Sequence, residues 1–236
     1  MQDFTSTFGN SAANALPEQR AQFIRRTYML LAATIAAFIA IEGLLFSTGI
    51  GQLMGYSLVA YGGIGWIVVL LAFMAVSYVS QRWATSDAST SVQFLGLGVY
   101  LLGEVVIFTP MLTYAAYYSD GWLVVWKAGV ISIGLFLGIT ATVFLTRSDF
   151  SFLGPIIGIG CGITLGLISS SLLFGFTLGS IFSFAMVALA GTSILYQTSN
   201  VLHRFRTDQH VAAALALFAS VALLFWYILR IFSSRR

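Results

Sequence analysis

The sequence has very little charge: Asp, Glu, Lys and Arg make up 8% of its 236 residues. Soluble domains carry about 25% charged residues. The composition therefore excludes an ordinary water-facing surface and indicates one that faces lipid. The few basic residues gather in short polar segments and at the ends of apolar runs, as in membrane proteins. They give no indication of a nucleic-acid partner.

The sequence also lacks the residues that most catalytic or metal sites need. Its one cysteine, Cys161, excludes an intramolecular disulfide and a cysteine-based metal site. No aspartate and no central histidine lies in an apolar run, so an intramembrane protease would have no catalytic pair. Gly-rich phosphate loops, His-Glu-x-x-His and Gly-x-Ser-x-Gly are missing as well. We therefore expect neither an enzyme nor a protein with a cofactor.

Long apolar runs are what the chain has in place of these features. A helix needs about 20 apolar residues to cross a bilayer, and seven runs approach or exceed that length. They predict an all-α integral membrane protein with a polar tail (1–23), a seven-span bundle (24–232) and a short basic tail (233–236). The runs cover residues 24–47, 57–80, 91–117, 122–146, 151–174, 177–202 and 211–232.

The run 151–174 leaves two interpretations open, because it is rich in glycine and glycine is a weak helix former. It could form a re-entrant segment. It could also cross the membrane and pack closely against a neighbour through the small residues Gly158, Gly162 and Gly166. We favour close packing.

Orientation follows from the distribution of Lys and Arg. With seven spans, the basic residues divide seven against four, which predicts a cytoplasmic N-terminus, although the basic C-terminal tail argues the other way. By default, the short loops suggest a bacterial inner membrane. The first side holds Arg20, Arg25, Arg26, Arg82, Arg147, Arg204 and Arg206, and the second holds Lys127, Arg230, Arg235 and Arg236.

Glu104 is the most informative single residue, because it is the one charged residue in the run 91–117. At about 1.5 Å per residue it lies about 20 Å from either end of that run. A carboxyl at this depth is a functional-site hypothesis by default. It is either protonated or faces water. Pro110 follows and is expected to break the helix, which suits a cation path; a protonated Glu104 with one hydrogen bond inside the bundle is the alternative.

Glu42 and Arg230 form a second candidate pair. Both lie near the same end of the predicted bundle, in the first and the last span. Their long side chains could close the gap between them, so we predict an ion pair that acts as a structural latch or as a gate.

Several stretches resemble the Bax inhibitor-1 (transmembrane Bax inhibitor motif) family in order and spacing. The segment Ile-Leu-Tyr-Gln-Thr resembles the family's sixth-span signature, Ile-Leu-Tyr-Asp-Thr. The other matching stretches cover the first span, the junction of spans four and five, and the seventh span. The segments are residues 26–31, 140–154, 194–198, 213–221 and 228–231.

The resemblance implies six helices around a central seventh, a pH-sensitive calcium leak, and bacterial members that modulate a membrane-anchored protease. The leak is attributed to two aspartates that share protons in spans six and seven. In this chain Gln197 and Ser220 stand at those two positions. Neither titrates near neutral pH, so we predict that the pH switch is lost and that a Gln197–Ser220 hydrogen bond holds the spans together.

Two functions remain open at this point. The first is a non-catalytic modulator or accessory partner of another membrane protein, such as a membrane-anchored protease, and we favour it. The second is a calcium or cation leak in which Glu104 replaces the missing aspartates.

Overall fold

The computed structural model of the protein describes residues 12–60, 62–86, 89–119 and 121–234. Parts of both predicted tails therefore lie outside the described residues. The described residues form eight α-helices and no strand. The helices are α1 (Pro17–Ser47), α2 (Ile50–Ala60), α3 (Gly62–Ala84), α4 (Thr90–Tyr118), α5 (Trp122–Thr146), α6 (Leu153–Phe174), α7 (Ser180–His203) and α8 (His210–Ser233).

Seven of these helices are long and apolar enough to cross a membrane, which confirms the predicted all-α membrane fold. The short helix α2 was not predicted. The predicted run 57–80 does not form one helix, because α2 ends at Ala60 and α3 begins at Gly62. Gly49, with a φ of +81°, lets the chain turn between α1 and α2. The second span therefore comes from α3 alone.

The first helix begins at Pro17, earlier than the predicted residue 24. Proline is favoured in the first helical turn because that turn needs no N–H donor there. Glu18 in the same turn is favourable at the positive end of the helix. One turn further, the Arg20 guanidinium donates to the carbonyl oxygen of Leu202 at 3.2 Å. The start of α1 is thus fixed against the end of α7.

Helix α8 lies at the centre of the bundle. It packs against α1, α3, α4, α5 and α7, and most of its residues are buried all round. A helix that is apolar on every side is expected in such a position. Its first half is rich in alanine, which lets neighbouring backbones approach closely. Five of the other six spans pack against this central seventh span, and the sixth, α6, packs against α7 and α3 instead.

Aromatic rings join α1 and α4 to the middle of α8. The ring of Phe108 on α4 lies 5.2 Å from that of Phe38, 5.5 Å from Phe225 and 5.1 Å from Trp226. Phe38 also lies 6.2 Å from Phe218. These are the separations of attractive edge-to-face and stacked pairs. They hold α1, α4 and α8 together at the level of the candidate site.

Helix α6 is the outermost span. It is one continuous helix that packs against α7 and α3 and buries none of its residues. Added methyl groups at Gly154 and Gly160 would lie 3.2 Å from Tyr196 and 2.8 Å from Leu189 on α7. The glycines that we expected to pack, Gly158, Gly162 and Gly166, instead have open space around them and face away from the bundle. The packing face is therefore a different one from that predicted.

The loop between α5 and α6 is tied to the last turns of α7. The Ser199 hydroxyl accepts from the backbone N–H of Phe150 at 2.9 Å and donates to Asp149 at 3.4 Å. The Ser151 N–H also donates to Asp149, at 2.9 Å, and lowers the pKa of that carboxyl. These bonds bring the 147–152 loop to the same end of the bundle as the start of α1.

Replacing Gly96 by Ala is expected to destabilise the fold, whereas replacing Gly98 on the same helix is not. A methyl group at Gly96 would lie 2.7 Å from the Ser80 carbonyl oxygen and 2.9 Å from the Ala84 nitrogen, both backbone atoms of α3. Separating the two helices should cost about 1–3 kcal/mol. At Gly98 nothing lies within 4 Å, so Ala should be neutral or stabilise by up to about 1 kcal/mol. Unfolding of the purified protein in bicelles measures both; equal effects would contradict this α3–α4 contact.

Candidate functional site

Glu104 lies on the inner face of α4 and is 5% exposed. Tyr100, one turn earlier, makes a side-chain hydrogen bond with it, and Tyr100 also interacts with Ser77 of α3. The carboxyl therefore has one hydroxyl partner, Tyr100, and no basic partner among the described residues. Of the two environments left open for Glu104, inside the bundle or facing water, the structure has the first.

Pro110 does not break α4, contrary to expectation. The helix continues through it as far as Tyr118. Proline lacks an N–H, so the carbonyl of Val106 loses its helical donor while the helix stays continuous. Packing against α8 holds both halves of α4 in line.

Glu42 of α1 is the second buried carboxyl, at 5% exposure. Its Oε2 accepts from the Thr109 hydroxyl of α4 at 3.4 Å. Its Oε1 is buried and has no hydrogen-bond partner among the described residues. An unpaired buried oxygen on a carboxyl is costly, so this position is suited to hold a proton or a small cation.

The structure does not bring Glu42 and Arg230 together. The Arg230 guanidinium donates to the carbonyl oxygen of Leu178, before α7, at 3.0 Å and lies 5.9 Å from the Phe182 ring. Glu42 points towards α4, and Arg230 towards the connection between α6 and α7. Within the described part of the chain the predicted latch is therefore not formed.

Gln197 and Ser220 are also not bonded to each other. The Ser220 hydroxyl lies 2.8 Å from the Ser193 hydroxyl and donates to the Ala216 carbonyl oxygen at 3.0 Å. Gln197 instead accepts from Asn200 on its own helix at 3.4 Å. The register of α7 against α8 places Ser193, one turn before Gln197, opposite Ser220. The predicted polar contact between these spans exists, but with a different partner.

A row of polar side chains follows one face of α4. Thr109, Thr113 and Tyr117 recur every four residues, a spacing that keeps them on one side of a helix. Glu104 precedes Thr109 by five residues, about 140° of helix rotation, and therefore lies on a different side of α4.

The row meets α1 and the stretch that follows it. Besides the Thr109–Glu42 bond, the Thr113 hydroxyl lies 3.5 Å from the Gly51 carbonyl oxygen, and Gln52 donates to the Tyr117 hydroxyl at 2.8 Å. We did not single out Thr109 or Thr113 from the sequence, although their four-residue spacing from each other and from Tyr117 was the available signal.

A double-mutant cycle should assign the contact between α7 and α8. Ser193→Ala and Ser220→Ala are expected to show a coupling of about 0.6 kcal/mol, typical of hydrogen bonds between membrane helices. The matched cycle of Gln197→Ala with Ser220→Ala should show a coupling near zero, because no hydrogen bond joins these side chains. Unfolding free energies in bicelles provide the measurement. A larger coupling between Gln197 and Ser220 than between Ser193 and Ser220 would contradict this assignment and support the pair predicted from the sequence.

Several known proteins are similar in sequence to this chain over most of its length. An uncharacterized protein of Pseudomonas aeruginosa is 30% identical over 222 residues, 93% of either chain. The modulator of FtsH protease YccA of Escherichia coli is 29% identical, covering 90% of either chain. Protein LIFEGUARD 4 of Arabidopsis thaliana is 28% identical over 92% of this chain and 86% of its own.

The sequence profile of one family extends over nearly the whole chain. It matches residues 20–236, which include all the described membrane spans except the first residues of α1. The earlier resemblance in order and spacing is thereby confirmed. The chain belongs to the family described as inhibitor of apoptosis-promoting Bax1, the Bax inhibitor-1 family.

Proposed function

We propose that this protein is a non-catalytic modulator, or accessory partner, of another protein complex in a bacterial inner membrane, such as a membrane-anchored ATP-dependent protease. The observation that carries the proposal is the contact between α7 and α8. At the positions of the family's proton-sharing aspartates this chain has Gln197 and Ser220, and Ser220 is bonded to the neutral Ser193. A scaffold without the titrating pair suits a binding role better than a pH-gated leak.

A named relative supports the same function. The Escherichia coli protein that is similar over 90% of this chain is a modulator of FtsH protease. We transfer that role to this chain as a hypothesis about its partner class.

The outward face of α6 is the surface that we assign to this partner. Gly158, Gly162 and Gly166 are exposed, with nothing within 4 Å, and α6 buries no residue in its own bundle. Small residues four apart let a second transmembrane helix approach closely. The occupant is therefore a membrane-spanning helix of the protease.

The same proposal places the N-terminus in the cytoplasm. Described contacts bring the start of α1 and the 147–152 and 203–210 loops to one end of the bundle, through Arg20–Leu202 and Ser199–Asp149. The ring of Phe94 near the start of α4 lies 6.3 Å from that of His210, which adds the α3–α4 connection to this end. Most of the basic residues lie in these segments, as the positive-inside rule requires of a cytoplasmic face.

Co-reconstitution with the host's membrane-anchored protease tests the modulator function. We expect the rate at which a membrane substrate is degraded to change saturably as this protein is added. Gly162→Leu should reduce the effect, because it fills the outward face of α6. Gly134→Leu on α5, where the surroundings are equally open, should retain it.

The outcomes separate the function from the surface. If the wild-type protein produces no saturable change, the modulator function is wrong. If the wild type acts and both variants act equally, the function stands and α6 is not the contact.

A cation leak is the second candidate, favoured by the polar row between α1 and α4. The row meets the buried carboxyl of Glu42, one of whose oxygens has no partner among the described residues. Glu104, five residues before Thr109 on α4, is a second buried carboxyl. Carboxylate and carbonyl oxygens are the ligands that calcium prefers, and Glu42 and Glu104 supply the first kind. In this alternative Glu104 replaces the missing aspartates.

Calcium flux into proteoliposomes distinguishes the two functions. At about pH 6 and about pH 8, on either side of the range in which a coupled carboxyl pair can titrate, we expect no flux through the native protein. The double variant Gln197→Asp/Ser220→Asp should leak with pH dependence. A native leak that Glu104→Gln abolishes, and that the surface variant Gly134→Leu leaves intact, would instead establish the channel.

A further inference from the structure

A groove between α4 and α8 lies at the end of the bundle where α8 terminates. It encloses about 320 Å³, near the lower limit of small-molecule sites. Its wall is apolar on one side and polar on the other. The lining residues are Met111, Tyr114, Trp226, Arg230, Ser233 and Ser234.

The polar side has donors that the protein does not use. A guanidinium has five N–H donors, and the Leu178 carbonyl oxygen is the one acceptor that Arg230 meets among the described residues. Ser233 is 6% exposed, and its buried hydroxyl has no hydrogen-bond partner within the described chain. The Arg230 guanidinium and the unpaired Ser233 hydroxyl together favour a ligand that has several hydrogen-bond acceptors.

The charge of the groove favours an anion. None of the described residues that line it is acidic. The carbonyl oxygens of Arg230 and Ile231, which would repel an anion at a helix C-terminus, already accept from the backbone N–H and the hydroxyl of Ser234. Arg230 is the one charged residue among the described residues that line the groove.

The apolar side and the depth of the groove favour a lipid. Trp226 is held against Phe108, with ring centroids 5.1 Å apart, and lines the groove with Met111 and the half-exposed Tyr114. A helix as long as α8 spans about 36 Å, more than the hydrocarbon core of about 30 Å. Its last turn, with Arg230, therefore reaches the level of the headgroups.

We propose that this groove binds the phosphodiester headgroup of a bilayer phospholipid. Arg230 donates to the phosphate oxygens, as guanidinium groups do in a two-pronged geometry, and Ser233 lies beside them as a second donor. Trp226, Met111 and Tyr114 contact the glycerol and the first part of the acyl chains. The small volume leaves the rest of the chains in the bilayer.

Native mass spectrometry of the delipidated protein in detergent tests the site. The probes are phosphatidylglycerol, phosphatidylethanolamine, diacylglycerol without phosphate, and inorganic phosphate as a competitor. We expect both phospholipids to bind saturably, diacylglycerol to bind far more weakly, and inorganic phosphate not to displace lipid. Arg230→Gln should weaken binding about tenfold or more, since a charge-assisted hydrogen bond is lost.

Three further variants keep the test decisive. Lys127→Gln removes an exposed cation at the same end of the bundle but outside the groove, and binding should not change. Arg230→Lys keeps the charge and protects the fold, yet should weaken binding because the planar fork is lost. Ser233→Ala should weaken binding to a smaller extent.

Two results would overturn the site. One is equal lipid binding by the wild type, Arg230→Lys and Ser233→Ala. The other is displacement of the lipid by inorganic phosphate, which would identify a soluble anion as the ligand.

Discussion

The burial of α8 is the constraint on which the rest of the structure depends. Lipid chains are as apolar as leucine, so helices in a bilayer are held together by close packing and not by exclusion of water. Residues such as Ala213, Leu217 and Leu229 have no exposed surface, which requires five neighbouring helices to fit against α8 at once. The register in which these helices pack against α8 therefore determines which polar side chains of different spans meet.

This constraint divides the interior into two chemically different halves. Between α7 and α8 the polar groups are neutral hydroxyls, Ser193 and Ser220. On α1 and α4 they include two buried carboxyls, Glu42 and Glu104. The family resemblance directs attention to the first half, whereas the acidic chemistry of this chain lies in the second. Both proposed functions follow from this division: a neutral α7–α8 contact for the modulator, and the two buried carboxyls for the leak.

Local sequence patterns predicted the spans and the depth of the buried carboxyl, because both depend on the hydropathy of neighbouring residues. They missed α2, since the run 57–80 conceals the break at Gly62. Partners of the site residues depend instead on the register between distant helices. A shift of one turn decides whether Ser220 meets Gln197 or Ser193, and the direction of two long side chains decides whether Glu42 meets Arg230. No single-sequence pattern contains that information.

The neutrality of the α7–α8 contact has an electrical consequence. Moving one elementary charge through 100 mV involves about 2.3 kcal/mol of work. Ser193, Ser220 and Gln197 carry no charge, so a membrane potential does no such work on these side chains when the two helices separate at this level. Separation here would respond to lateral forces from lipids or from a bound helix, and not to the voltage across the membrane.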